Sequence, residues 1–150
     1  MNHDLIELLA AFNDHGVEFI VVGAHALAAH GHVRATKDLD LWIRPSLENA
    51  SRAMHALAYF GAPLHDLTRE DLATPGTVYQ IGVPPLRVDV LTTIDGVRFD
   101  DAWSDRVTAH FDGVDVSVLS RSHLIQNKRA SGRLQDLADV EWLERGADDF

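Results

Sequence analysis

Six residues, Asp38-Leu39-Asp40-Leu41-Trp42-Ile43, constrain this chain most. At their start acid and apolar side chains alternate with the period of two that belongs to a β-strand, so one face is apolar and the other carries two carboxylates. Positions i and i+2 of a strand project to the same side, which sets Asp38 and Asp40 in parallel with Cα atoms about 6 to 7 Å apart. The odd positions, Leu39, Leu41 and Ile43, then face a core and the even ones face out. Carboxylates this close repel unless a cation lies between them. Two readings fit the residues alone: the solvated polar face of an edge strand, or a pair that grips a hard divalent cation. Mg²⁺ suits the second, because it takes oxygen ligands and binds one or two carboxylates together with substrate phosphates.

A third acid adds weight to the cation. In L-R-V-D-V-L, Leu86 to Leu91, Asp89 stands between Val88 and Val90 in another strand pattern, where an unpaired carboxylate is costly to bury. Three strand-borne acids suggest a two-metal site for phosphoryl chemistry.

The rest of the chain supplies a frame for them. Its 150 residues, 46% hydrophobic and 24% charged, are enough for one globular domain with a real core, spanning 1–150. Apolar residues at Leu5, Ile6, Leu8, Leu9 and Phe12 predict a first helix from Asp4 to Asp14, with Asp4 and Glu7 as a capping box and Gly16 as its stop. Val17 to Val22 reads as a buried strand, Ala24 to His30 as an alanine-rich helix, and Leu47 to Gly61 as a second long helix with Pro45 in its first turn. A short helix is expected around Thr68 to Ala73. Strands are expected at Thr77 to Val83, Leu86 to Thr93 and Val114 to Leu119, with Pro84-Pro85 separating the first two. Asp95-Gly96 signals a turn, Phe99 to Arg106 a short helix, and from Ser122 the chain reads as helix broken at Ser131-Gly132. The result is an α+β chain: a mixed or antiparallel central sheet of about five strands, flanked by helices, with a helical C-terminus.

Composition removes several function classes. With no cysteine, disulfides, thiol catalysis and zinc-thiolate sites are excluded. The formal charge of −10 argues against a broad phosphate-tracking surface, although positive charge gathers from Arg34 to Arg44 and from Arg121 to Arg133. The tightest histidine group, His25, His30 and His32, has no carboxylate at a ligand spacing among it. No apolar run is long enough to span a bilayer and the N-terminus is acidic where a signal peptide would be basic, so a soluble, cytoplasmic protein is expected.

Gly23-Ala24 after the first strand, Asp38-Leu39-Asp40 fifteen residues after Gly23, and Arg87-Val88-Asp89-Val90 together resemble the DNA polymerase β-like nucleotidyltransferase superfamily. That pattern is a strand ending in Gly-Gly or Gly-Ser, a short helix, a strand with Asp-x-Asp, and a later strand with a third acid. The segment L-I-Q-N-K-R-A-S-G-R-L-Q-D-L-A-D-V-E-W-L, Leu124 to Leu143, is similar to the Lys-then-Arg-Asp-x-x-Asp ending of small AbiEii-like nucleotidyltransferases of bacterial toxin–antitoxin systems. Ala24 departs from the usual Gly or Ser, removing a hydroxyl that could touch the terminal phosphate. AbiEii-like toxins are usually longer, which implies that part of the substrate site comes from another subunit.

The resemblance implies a nucleotidyltransferase fold and transfer of an NMP group from an NTP such as ATP to an acceptor hydroxyl on a tRNA end, a protein side chain or a small molecule. Asp38, Asp40 and Asp89 would hold two Mg²⁺ ions, with Mn²⁺ as a substitute, and Asp89 would also orient or deprotonate the attacking hydroxyl. Gly23, Ala24 and His25 would meet the nucleotide, Lys128 its β- and γ-phosphates, and Asp136 would orient Lys128 or Arg133 or act on the acceptor. Arg34, Thr36, Lys37 and Arg133 would contact phosphate or acceptor. Expected partners are a homo-oligomeric copy or a cognate toxin or antitoxin, and no membrane. The alternative is a catalytically silent nucleotide-binding or protein-interaction module on the same fold. Trp42, Trp103 and Trp142 read as core or groove-edge packing.

Overall fold

The computed structural model of the chain describes residues 2–33, 38–82 and 87–148. Its helices are α1 (His3–Asp14), α2 (Gly23–Ala29), α3 (Leu47–Phe60), α4 (Arg69–Leu72), α5 (Phe99–Asp105), α6 (Arg121–Ser131) and α7 (Leu134–Asp148). Its strands are β1 (Phe19–Val22), β2 (Asp38–Ile43), β3 (Val78–Ile81), β4 (Arg87–Leu91), β5 (Val107–Phe111) and β6 (Val114–Val118). The strands form a mixed sheet in the order β3-β4-β2-β1-β6-β5. β2 runs parallel to β4 and antiparallel to β1, which in turn runs parallel to β6. The outer pairs, β3 with β4 and β5 with β6, are antiparallel.

Among the described residues the sheet has six strands, where about five are expected from the sequence. The additional one, β5, has the sequence V-T-A-H-F and lies at the sheet edge with Val107 39% exposed, so neither face is buried enough to leave a period-two signature. Its turn into β6 uses Asp112 and Gly113, both at positive φ. The Pro84-Pro85 connection between β3 and β4 lies outside the described residues.

Local chemistry sets the helix ends. Asn2, rather than the Asp4 and Glu7 box, caps α1, its side chain accepting from the Asp4 amide at 2.8 Å. Ser46 caps α3 by accepting from the Asn49 amide at 3.1 Å, so Pro45 precedes the helix instead of sitting in its first turn. Thr68 and Asp71 form the capping box of α4, and Gly61 and Gly132 end α3 and α6 in the left-handed conformation. The apolar stripe of α1 buries Leu8, Leu9 and Phe12 completely, with Phe12 edge-on to Phe19 of β1 at 5.2 Å between ring centroids.

Asn49 ties three segments together. Fully buried, it accepts from the Glu18 amide at 2.7 Å and donates to the carbonyls of Glu18 and Arg44, both at 3.0 Å. Asn49→Ala would leave the Glu18 amide unpaired, while the two carbonyls keep the Arg44 and Ser46 amides as donors, and about 2 kcal/mol of destabilisation is expected in urea unfolding. A change within about 0.5 kcal/mol would show that water replaces the amide.

On β2 the even-faces-out expectation holds for Asp38 and Asp40 but fails at Trp42, which is 1% exposed. α5 covers that end of the strand: Phe99 packs edge-on to Trp42 at 5.0 Å, and the indole Nε1 donates to the Thr92 carbonyl at 3.3 Å. The outward face of β2 is therefore open only where it carries acids. Among the described residues no helix is long and apolar enough to cross a membrane.

Candidate active site

The parallel pairing of β2 with β4 brings the acids together. In its register Asp40 lies opposite Asp89 and Asp38 opposite Arg87, so the four side chains form a two-by-two patch on one face of the sheet. Val22, the last residue of β1, lies opposite Asp40 on its other side. Val88 and Val90 point the other way, into the core, as do Leu39 and Leu41. Asp89, remote in sequence, thus meets the pair that the strand pattern singled out.

Gly23 makes room for Asp40. It has a φ of +70°, and a Cβ placed on it would sit 2.3 Å from Asp40 Oδ2, closer than any real contact. Both the backbone conformation and the space exclude a side chain here. Asp89 accepts from Gln80 Nε2 of the neighbouring β3 at 3.2 Å. Arg87 reaches across the patch: its Nη2 lies 2.9 Å from Asp38 Oδ2 and 3.3 Å from Asp89 Oδ2.

Electrostatics mark Asp40 as the strained member. Burial, then the charges of Asp89 and Asp38, push its carboxyl up to about 6; Arg87 and Arg133 pull the other way less strongly. A carboxyl raised from 3.8 to about 6 binds its proton more tightly in the folded chain than in the unfolded one. Its contribution therefore favours the fold at acid pH and is lost as pH rises through that window. Thermal unfolding in chelator is expected to show this decline between roughly pH 4 and 6, and its absence in Asp40→Asn would assign it to this group.

α6 and α7 close the cleft from the C-terminal side. Lys128, 8% exposed, sends Nζ to Asp139 Oδ2 at 2.9 Å and to Asp136 Oδ1 at 3.6 Å. Arg133, largely exposed, donates from Nε to Asp136 Oδ2 at 2.8 Å. Burial works against the Asp136 carboxylate, but the hydrogen bond and charge of Arg133, then the charge of Lys128, hold its pKa below the usual value. Asp136 is thus the link between the two cations.

Two hollows meet at Gly23, Asp40, Lys128, Arg133 and Asp136. One, of about 320 Å³, extends past Ala24, Asp38 and Gln135; the other, of about 240 Å³, extends past Leu91, Thr93, Asp95 and Asn127. Clefts of about 380 and 390 Å³ lie between α1 and α3 and beside β3, but neither is lined by Lys or Arg. A polyanion carried with a cation needs both signs of charge, and the Asp40 hollows supply them.

Of the expected site residues, Gly23, Ala24, Asp38, Asp40, Lys128, Arg133 and Asp136 line this cleft, and Asp89 joins it through the β2–β4 register. His25 lies at its border. Burial lowers the His25 pKa, a hydrogen bond with the Asp38 backbone opposes that, and its Nδ1 has no hydrogen-bond partner. Arg34, Thr36 and Lys37 lie outside the described residues. Two participants carry no role in the sequence reading. Arg87 shares the face of Asp89 by the same period of two, and Asp139, three residues after Asp136, shares its helical face.

The donor set fits a hard cation: oxygen ligands throughout, a carboxylate made unfavourable by its neighbours, and a glycine cradle beside it. Among the described residues, though, no three acid or imidazole groups already stand at coordination spacing.

Solved structures share this architecture. The antibiotic-resistance factor ANT(2'')-Ia aligns with a TM-score of 0.66 and 14% identity over 96% of this chain and 82% of that one. The lincosamide antibiotic adenylyltransferase LnuA, solved with lincomycin bound, aligns at 0.61 and 11% identity over 96% of each chain. TM1012 of Thermotoga maritima, provisionally assigned as a nucleotidyltransferase, aligns at 0.61 and 14% identity over 97% of this chain and 91% of that one. At these identities the likeness is one of fold. A comparison with curated proteins finds no match. Family membership rests on the sequence, in which residues 1–149 match the model described as nucleotidyl transferase of unknown function: the chain belongs to the DUF2204 family.

Proposed function

We propose that the protein transfers a nucleoside monophosphate from an NTP to a hydroxyl group of a small acceptor molecule. The observation that carries this reading is the β2–β4 register, in which Asp38, Asp40 and Asp89 share one sheet face at the mouth of a cleft walled by Lys128 and Arg133. In the reaction, the acceptor oxygen bonds to the α-phosphorus as the bond to the bridging oxygen of the β-phosphate breaks. Pyrophosphate leaves with that oxygen, and the hydroxyl proton passes to Asp89 or to water.

Asp38, Asp40 and Asp89 would hold the Mg²⁺ ions, which supply charge neutralisation for the phosphates and the leaving group. Gly23 lets the chain approach the phosphates without a side chain in the way. Arg133, exposed at the rim, pairs with the outgoing phosphates, and Lys128 contributes positive charge from behind it. Asp136 and Asp139 fix the positions of those two cations.

A small acceptor is favoured over a long RNA by the net charge of −10. The fold neighbours named for antibiotics, one solved with adenylyl-2''-tobramycin, offer a parallel in hydroxylated acceptors. The AbiEii-like C-terminal motif points to a toxin–antitoxin setting for the same chemistry, with a tRNA end or a protein side chain as acceptor. Ala24 favours a second reading, a silent nucleotide-binding module.

Purified protein incubated with labelled NTPs and Mg²⁺ or Mn²⁺ separates these readings. Label carried onto hydroxylated small molecules supports the proposal, and label on tRNA or protein moves the acceptor class. Metal-dependent nucleotide binding without transfer favours the silent module. Absence of any NTP-induced thermal shift contradicts both.

A further inference from the structure

Within the acidic patch, a cation of the chain itself touches two of the carboxylates. Arg87 stands opposite Asp38 in the register and two residues before Asp89 on the same strand face. A single nitrogen, Nη2, lies 2.9 Å from Asp38 and 3.3 Å from Asp89. These contacts are partly sheltered, since the side chains of Arg87 and Asp89 are 31% and 13% exposed. Among the described residues the guanidinium Nε is buried with no hydrogen-bond partner, and the contacts with Asp38 and Asp89 are made from the Nη2 end.

We infer that Arg87 is a built-in stand-in for the divalent ion, which keeps bare metal out of the site and yields only to metal that arrives with nucleotide. This rests on the nucleotidyltransferase reading above. Guanidinium and ion compete for the same oxygens of Asp38 and Asp89. A guanidinium is weakly hydrated and gives up little to sit there, whereas Mg²⁺ parts with its water reluctantly. Bare metal must therefore displace Arg87 from both carboxylates and offers it no anion in exchange. A metal–nucleotide complex brings phosphate oxygens, and guanidinium pairs with phosphate as well as it does with carboxylate. The exchange of partners makes metal and nucleotide bind together, and Arg87 is thereby a specificity-determining residue for the loaded form.

The test is Mn²⁺ binding followed by calorimetry and electron paramagnetic resonance, with and without a non-hydrolysable ATP analogue. Arg87→Gln is expected to bind Mn²⁺ alone about tenfold tighter than the unsubstituted protein, and to bind the Mn²⁺–analogue complex no tighter. Arg87→Lys, which retains the charge but not the fork, is expected in between. In the unsubstituted protein, the arginine Nε–Hε resonance assigned to Arg87 is expected to shift with Mg²⁺ and analogue together and not with Mg²⁺ alone, a readout independent of how well the variants fold. Equal or weaker binding of bare Mn²⁺ by Arg87→Gln, or a resonance that moves with Mg²⁺ alone, overturns the inference while leaving the nucleotidyltransferase reading in place. Failure of the unsubstituted protein to bind the Mn²⁺–analogue complex overturns both.

Discussion

Asp40→Asn is expected to lower nucleotidyl transfer by at least about 100-fold and, at neutral pH without metal, to raise the melting temperature. The two effects have one cause. Asp40 is the carboxyl that burial, Asp89 and Asp38 push up to about 6, so at neutral pH its charge is held against the preference of the fold. An amide of the same shape removes that repulsion together with the oxygen proposed to hold the metal. After allowance for water reaching the site, the relief is about 1 kcal/mol, or roughly 2 to 4 °C in a chain of this size. Melting curves at pH 7.5 in chelator, paired with label-transfer assays, check both halves. A variant that loses activity and also melts lower would show that Asp40 is a structural support.

Gly23→Ala is expected to damage both stability and nucleotidyl transfer. It would place Cβ 2.3 Å from Asp40 Oδ2 at a φ of +70°, so the carboxylate and the backbone must both move. Left-handed strain costs about 1–2 kcal/mol, and the overlap adds about as much again. Gly61→Ala is the control, because Gly61 also has positive φ, +94°, but a Cβ there meets nothing within 4 Å. Gly61→Ala should lose only the strain, about 1 kcal/mol, with activity kept. Equal destabilisation of the two variants, with activity retained in Gly23→Ala, would mean that the space beside Asp40 is unimportant to the reaction.

The sequence carried the site further than it carried the sheet. Asp38 and Asp40 are legible because the strand period of two needs no tertiary information, and Asp89 because a carboxylate between two buried valines requires a reason. That Asp40 meets Asp89 depends on a parallel pairing between strands far apart in the chain, and the register belongs to the fold. β5 was hidden for the opposite reason, since an exposed edge strand needs no apolar alternation. Trp42 broke the outward-facing pattern because α5 folds over that half of β2, which nothing local to Asp38–Ile43 encodes. The sequence offers Lys128 as a candidate, but its pairing with Asp139 requires α6 and α7 to pack side by side.

Three carboxylates on two parallel strands are proposed to bind divalent ions and a nucleotide at one place. Anomalous diffraction from crystals soaked with Mn²⁺ and a non-hydrolysable ATP analogue tests it most directly. Manganese peaks are expected bounded by oxygens of Asp38, Asp40 and Asp89, with the phosphates reaching towards Arg133. Nucleotide bound with no manganese at those carboxylates, or manganese bound only elsewhere, would contradict it.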